Sequence, residues 1–339
     1  MIRQLKARAP AKLILSGEHA VIYGQPALAM AVDFYTETTT TWHKMPVINF
    51  EFLDLKYAKM HTIQALDKLN TSLHKNYIEF RNGHCNIREV LMRPFELLQY
   101  SVGNLFEKLN LQLPRGVEIK VNSTIPIGCG LGSSAAAIMS TLFALSHMLN
   151  LNLDLKRFLM LGQEAENLQH GSSSGIDLQL AAFGGSIRFQ HGETIKREVP
   201  KVPLHLVNTG IPEATTGECV AKVASFFKKG GLALDFAGVT DAMDQVLMSH
   251  DIGAVQTVVQ ANHQLLMHIG VVPDKVSLFV DEIEKHGGAA KICGAGSVIG
   301  DNAGVLLVVG EHNVLSEDTE RFGYQLKPLQ ADLYGVRII

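Results

Sequence analysis

Residues 126–136 read Pro-Ile-Gly-Cys-Gly-Leu-Gly-Ser-Ser-Ala-Ala, with Gly128, Gly130 and Gly132 at every second position and Ser133 and Ser134 directly after them. Glycines let the main chain approach a ligand closely, and N–H groups at the start of a helix attract an anion, so this stretch has the composition of a phosphate cradle. The two serines suit a helix start, and their hydroxyls could meet a phosphate oxygen or a metal ion. The spacing is not that of a P-loop, because no lysine follows, and G-x-G-x-G is not the dinucleotide fingerprint G-x-G-x-x-G. Taken alone, the stretch is equally a glycine turn capped by serines.

Two further segments carry residues of chemical interest. Residues 10–32, PAKLILSGEHAVIYGQPALAMAV, hold Lys12, Glu18 and His19 together with a run of small residues. The plain reading is an N-terminal strand with solvated charges. Residues 165–185, AENLQHGSSSGIDLQLAAFGG, place Glu166 and Asp177 on either side of a serine-glycine tract. A linker is the plain reading here, but a linker is not bracketed by helical pattern and followed at once by an acid and an apolar segment.

Behind these residues stand the elements that must hold them. Residues 13–15 and 27–32 read as short strands around a Gly24-Gln25-Pro26 turn, and the threonine-rich stretch 34–44 reads as another strand. The region 57–109 is helical in pattern, with a polar break near Arg81-Asn82-Gly83. Val117, Ile119 and Val121 alternate with polar residues and predict a half-buried strand running into the glycines. Ile138, Leu142, Leu145 and Leu149 share one face of the helix that follows, and a second helix covers about 155–168. FGGSIRF predicts a strand after a tight turn, and the polar stretch 191–202 is placed as a domain boundary. Beyond it come a strand near 203–210, helices over 220–227, 237–248, 252–269 and 275–285, and a strand, glycine loop and strand over 291–310. The class is mixed α+β.

Composition narrows the functions open to the chain. Its 339 residues, 47% of them hydrophobic, can build a large core and favour two domains. A net charge of −3 with interspersed signs predicts a small-molecule partner and no nucleic acid. Cys85, Cys129, Cys219 and Cys293 lie far apart with no C-x-x-C pair, which argues against a zinc site or a disulfide framework and for reduced thiols. No stretch resembles a signal peptide or a membrane span, so the expectation is a soluble cytoplasmic protein with no membrane partner.

PAKLILSGEHAVIYGQPA, PIGCGLGSSAA and HGSSSGID together resemble the motifs of the GHMP small-molecule kinases, and the resemblance runs across nearly the whole chain. GEHAVIYGQPALA and residues 262–271, NHQLLMHIGV, are most like the mevalonate kinase branch of that family. The resemblance implies a two-domain GHMP kinase fold. Residues 1–195 would form an ATP-binding unit like ribosomal protein S5 domain 2, and 196–339 a ferredoxin-like α+β unit, with the active site in the cleft between them. It implies ATP- and Mg2+-dependent phosphorylation of the 5-hydroxyl of mevalonate, and a homodimer. Pro126, Gly128, Cys129, Gly130, Leu131, Gly132, Ser133 and Ser134 would wrap the ATP phosphates. Ser134 and Glu166 match the metal ligands, Asp177 the aspartate beside the substrate hydroxyl, and Lys12 the lysine paired with it. Glu18, His19, Ser174, Gly175 and Gly296 match substrate-side positions. Trp42 and His43 end a strand in the region of the family's adenine pocket, where a core or rim role is also open.

The chain departs from the family pattern in two places. The third motif is normally almost all glycine after Gly-Ala-Gly, but here Ser297 and Val298 follow Gly296. Both are stiffer than glycine. The loop around Gly210 and Glu213, where this branch tends to be basic, has no basic residue. Phosphomevalonate kinase and diphosphomevalonate decarboxylase are therefore the alternatives within the fold, although GEHAVIYG argues against the second. Cys129 reads as a filler thiol or an alkylation-sensitive one, and Lys228 with Lys229 as a solvated helix end.

Overall fold

The computed structural model describes residues 4–113, 115–228 and 231–339. Two antiparallel strands, β1 (Leu5–Ser16) and β2 (Ala27–His43), form the backbone of the first sheet. Its path is β12 (Arg337–Ile338), β1, β2, β5 (Gly116–Ser123), β3 (Ile48–Phe52) and β4 (Tyr57–His61), with β6 (Ser186–Gln190) on the first part of β2 and β7 (Glu193–Arg197) on β6. A strand as long as β2 can serve both partners on one side: Ala27 to Met30 pair with β6, and Thr36 to His43 pair with β5. The second sheet runs β11 (Leu326–Pro328), β8 (Leu204–Asn208), β10 (Val305–Val309), β9 (Ala289–Cys293), all antiparallel.

Helices α1 (Ile63–Arg81), α2 (Glu96–Lys108), α3 (Ser133–Met148), α4 (Leu155–His170) and α5 (Ile176–Phe183) go with the first sheet. α6 (Thr216–Phe227), α7 (Leu232–Val246), α8 (Ile252–His268), α9 (Asp274–Lys285) and α10 (His312–Arg321) follow β8, and α8 and α9 cover β9. α3 is apolar nearly all round because it lies between β1, β2 and the helices α2, α4 and α5. The threonine alternation of β2 is explained at this interface. Thr38 is fully buried, and its hydroxyl bonds Ser140 at 3.0 Å and Thr141 at 3.1 Å on α3, so the buried polar groups satisfy one another.

The predicted helices after residue 130 are all present, as are the strands at 117–121, 186–190, 204–208 and on both sides of the last glycine loop. Three readings are corrected. The strands read at 27–32 and 34–44 are one continuous strand, and β1 begins eight residues before Leu13. Residues 57–61 are a strand, not helix, paired with β3, which was not anticipated. Ala58, Lys59 and Met60 of β4 are all exposed, so this edge carries no buried alternation to read. The stretch 191–202 contains β7, which closes a hairpin on β6.

The chain leaves the first sheet after β7 and returns to it at its very end. Ala7 pairs with Ile338, and Asp332 ties this segment down by accepting from Tyr35 Oη at 2.8 Å and Arg337 Nη2 at 2.7 Å. Lys228 caps the end of α6, whereas Lys229 lies outside the described residues. Among the described residues, no helix is long and apolar enough to cross a membrane.

One buried group of α8 makes stability pH-dependent. His263 is almost fully enclosed, and burial pushes its pKa down to about 4 from an ordinary 6.5. A lowered histidine pKa means that the unfolded chain binds the proton first. Stability is therefore lost as pH falls from 6.5 towards 4, by about 3 kcal/mol over that span for this group. His263→Gln is expected to flatten the denaturant-midpoint profile between these pH values. An unchanged slope would contradict the assignment.

Candidate active site

The three glycines of the loop between β5 and α3 take left-handed φ angles of 75°, 85° and 68°. Left-handed residues alternating with ordinary ones curve the main chain into a concave nest of N–H groups. Among the described residues, none of these three glycine N–H groups has an acceptor. The loop opens onto the N-terminus of α3, where the helix dipole adds to the attraction for an anion. β1 fixes the loop in place, because Lys12 N donates to Leu131 O at 2.9 Å and the Leu131 side chain is buried.

Two carboxylates face this helix end. Asp177 lies in the first turn of α5, a stable place for an acid, and its Oδ1 is 3.2 Å from Lys12 Nζ. Lys12 is only 7% exposed, so its ammonium is held by the pair and not by bulk water. Glu166 sits on α4, 2% exposed, accepting from Ser134 Oγ at 3.0 Å and Ser173 Oγ at 2.7 Å. Burial first, and the Asp177 charge second, push its pKa up to about 7. A buried acid with two hydroxyl neighbours and a second carboxylate nearby is a set of hard oxygen donors short of positive charge. It therefore suits a divalent cation such as Mg2+.

Gly132 is where the loop, Lys12 and Asp177 come closest. A Cβ there would stand 2.9 Å from Lys12 Cγ and 3.0 Å from Asp177 Oδ2, at a φ that disfavours any side chain. Gly132→Ala is expected to cost about 1–2 kcal/mol of stability from the backbone alone. Displacing the Lys12–Asp177 pair is expected to cost up to ~100-fold in turnover. Steady-state kinetics and denaturation on the variant test both; wild-type turnover would mean that the pair tolerates displacement.

The other wall comes from the second sheet. Glu18, after β1, forms a fully buried ion pair with Lys291 of β9, and Lys291 Nζ also donates to Ile292 O at 2.9 Å. His19, next in sequence, bonds Ala295 O through Nε2 at 3.1 Å. Burial lowers its pKa to about 4, so the ring is neutral, with Nε2 protonated and Nδ1 a buried lone pair without a partner. The segment carrying Glu18 and His19 thus clasps the third glycine motif. Gly296 is buried, with Val271 O and the Ile292 side chain where a Cβ would go. Ser297 is buried too, and its hydroxyl donates to Ile299 O at 2.6 Å, so the residue that departs from the all-glycine pattern is satisfied inside the loop.

Cys129 resolves against reactivity. Its thiol is buried within 3.6–3.8 Å of Ile127 O, Asn208 Oδ1 and Gly210 O, and burial raises its pKa. A thiol kept protonated and enclosed is a poor nucleophile, so the side chain pins the phosphate loop to the end of β8. Trp42 is not near this loop. It shares a hollow with Met148 and Leu149 at the far end of α3, about 24 Å along the helix axis from Ser133.

Comparison with known proteins agrees with this geometry. Residues 96–185, from α2 through α5, match the model of the GHMP kinases N terminal domain. A mevalonate kinase of Thermococcus sibiricus is 32% identical over 301 residues, which are 86% of either chain. This chain belongs to the mevalonate kinase family. Its fold is shared with the Methanococcus jannaschii mevalonate kinase structure, at TM-score 0.82 and 23% identity over 98% of each chain. It is also shared with L. major mevalonate kinase in complex with R-mevalonate, at TM-score 0.71 and 18% identity over 96% of each.

In this member of the mevalonate kinase family, Lys12, Gly132, Ser134, Glu166 and Asp177 converge at one point. Pro126, Gly128, Cys129, Gly130, Leu131 and Ser133 form the adjoining loop and helix start. Gly175 caps α5 at a φ of 81°, and the Ser174 hydroxyl accepts from Ile176 N at 3.4 Å, so both shape the turn before Asp177. Sequence reasoning missed two residues. Ser173 reaches Glu166, and in a run of three serines nothing local singles it out. Lys291 was readable, because a lysine inside the otherwise apolar strand AAKIC is rarely buried without a partner.

Proposed function

We infer that this chain transfers the γ-phosphoryl group of ATP to the 5-hydroxyl of mevalonate, giving 5-phosphomevalonate. The observation that carries the reading is the Lys12–Asp177 pair at 3.2 Å, set against a glycine nest at a helix N-terminus. Phosphoryl transfer asks a protein mainly for alignment and for neutralisation of charge. The nest and the start of α3 bind the phosphate chain by main-chain N–H groups, with no P-loop lysine. Asp177 accepts or orients the proton of the attacking hydroxyl, and the Lys12 ammonium stabilises the negative charge that develops on that oxygen. Glu166 and Ser134 would hold Mg2+, which when bound neutralises phosphate charge. The buried Glu18–Lys291 pair and the His19–Ala295 bond hold the opposite wall at a fixed distance.

Residues 1–195 and 196–339 are taken as the two units; the change of sheet that supports two units falls slightly later, between the end of β7 at Arg197 and the start of β8 at Leu204, with the last strand returning to the first unit. A cytoplasmic homodimer belongs to the same reading, and sedimentation of the purified protein reads the oligomeric state.

The test is an acceptor panel. Purified protein with ATP and Mg2+ is expected to release ADP with mevalonate, and far more slowly with phosphomevalonate or diphosphomevalonate. ADP release with phosphomevalonate alone, or carbon dioxide release with the diphosphate, would overturn the choice of acceptor. Glu166→Gln is expected to raise the Mg2+ concentration needed for half-maximal rate, and an unchanged requirement would remove Glu166 from the metal site.

A further inference from the structure

On the outer side of the second unit, α9 and α10 bring together three side chains that the kinase reaction does not use. Glu282 stands near the end of α9, His286 caps that helix, and Asp318 lies on α10. One potential ligand atom from each lies within 4.8 Å of the others. Asp318 is unusual in this setting. It is only 3% exposed, although acids on a helix surface are normally solvated, and its Oδ2 has no hydrogen-bond partner. His286 Nδ1 approaches that oxygen to 2.8 Å without giving it an aligned N–H bond. An imidazole nitrogen and a carboxylate oxygen at that separation are placed to act as adjacent ligands on one cation with bonds of about 2.0–2.2 Å.

We propose that Glu282, His286 and Asp318 form a binding site for a divalent transition-metal cation of the zinc type, separate from the nucleotide site. The donor set of one imidazole and two carboxylates suits Zn2+ or Co2+ with water completing the coordination, and the imidazole distinguishes it from an oxygen-only magnesium site. Glu282 and His286 are four residues apart at a helix end, so both reach the same side. Two cations now share these acids. Arg321 lies 3.6 Å from Asp318 and 3.7 Å from Glu282, and Lys285 lies 3.0 Å from Glu282. Both are about two-thirds exposed on flexible stems, so they can swing into water when a metal ion enters. The ion would join α9 to α10.

The experiment uses the full chain in a Cys85→Ser background, which removes the one cysteine that is not buried. Metal is stripped, and excess Mg2+ is kept present to occupy the nucleotide site. Zn2+ is titrated by calorimetry, and Co2+ by its visible absorption. One equivalent is expected to bind, with cobalt bands showing nitrogen and oxygen ligation. His286→Gln, at an exposed position, is expected to fold normally and to weaken binding at least ~tenfold. Asp318→Asn should do the same, with kcat for the kinase reaction unchanged in both. Absence of binding would mean that the cluster is only an ion-pair network with Arg321 and Lys285. Equal binding by the His286→Gln protein would place the metal elsewhere. Either result overturns the proposal, and neither bears on the kinase assignment, which the acceptor panel decides independently.

Discussion

Asp177→Asn is expected to lower kcat by ~100- to 10,000-fold while leaving ATP affinity close to wild type. The substitution keeps the shape of the side chain but removes the charge that faces Lys12 at 3.2 Å. An amide cannot take the proton of the attacking alcohol, and without the carboxylate the largely enclosed ammonium of Lys12 loses its partner. In the proposed function nucleotide binding rests on different groups, the main-chain N–H groups of residues 128–132 and the N-terminus of α3. The two effects are therefore separable. Single-turnover rates measure the first, and equilibrium titration with a fluorescent ATP analogue measures the second. A turnover within a few-fold of wild type would remove Asp177 from the chemistry. Loss of ATP binding would instead make it part of the phosphate cradle.

The second large effect concerns the fold. Lys291→Met is expected to destabilise the protein by about 3–5 kcal/mol, because Glu18 is left charged and fully buried with its ion-pair partner removed. The pair joins the segment after β1, in the first sheet, to β9 in the second. Its Glu18 Oε2 already lacks a hydrogen-bond partner, so no neighbour stands ready to compensate. The double variant Glu18→Gln with Lys291→Met removes both charges and should recover a large part of the loss. Urea denaturation of the two singles and the double closes a double-mutant cycle. A double variant no more stable than Lys291→Met alone would show that the loss comes from packing of the lysine stem and not from the stranded charge.

Much of the site was legible before any coordinates because its signals are local. Alternating glycines, a pair of serines at a helix start and an acid in the first turn of the next helix each work through the main chain within a few residues. The same holds for β5 and α4, whose hydrophobic periods are clear, and for α3, whose apolar run is nearly continuous. β4 was not legible, since its exposed middle residues leave no buried alternation, whereas β3 alternates buried Ile48, Phe50 and Phe52 with half-buried Asn49 and Glu51, a period-2 signal that sequence reasoning passed over.

The sequence by itself determined the family, and with it the expectation of a phosphate-binding loop, since motif resemblance depends on residue types at fixed short spacings. Only the tertiary structure decided which side chains meet. It joined Glu18 to Lys291 across 273 positions, brought Ser173 to Glu166, turned Cys129 inward against β8, and placed Trp42 at the far end of α3. Contacts of this kind depend on how two sheets and their helices pack. No local spacing encodes that, because the partners are set by burial of the whole core and not by neighbours along the chain.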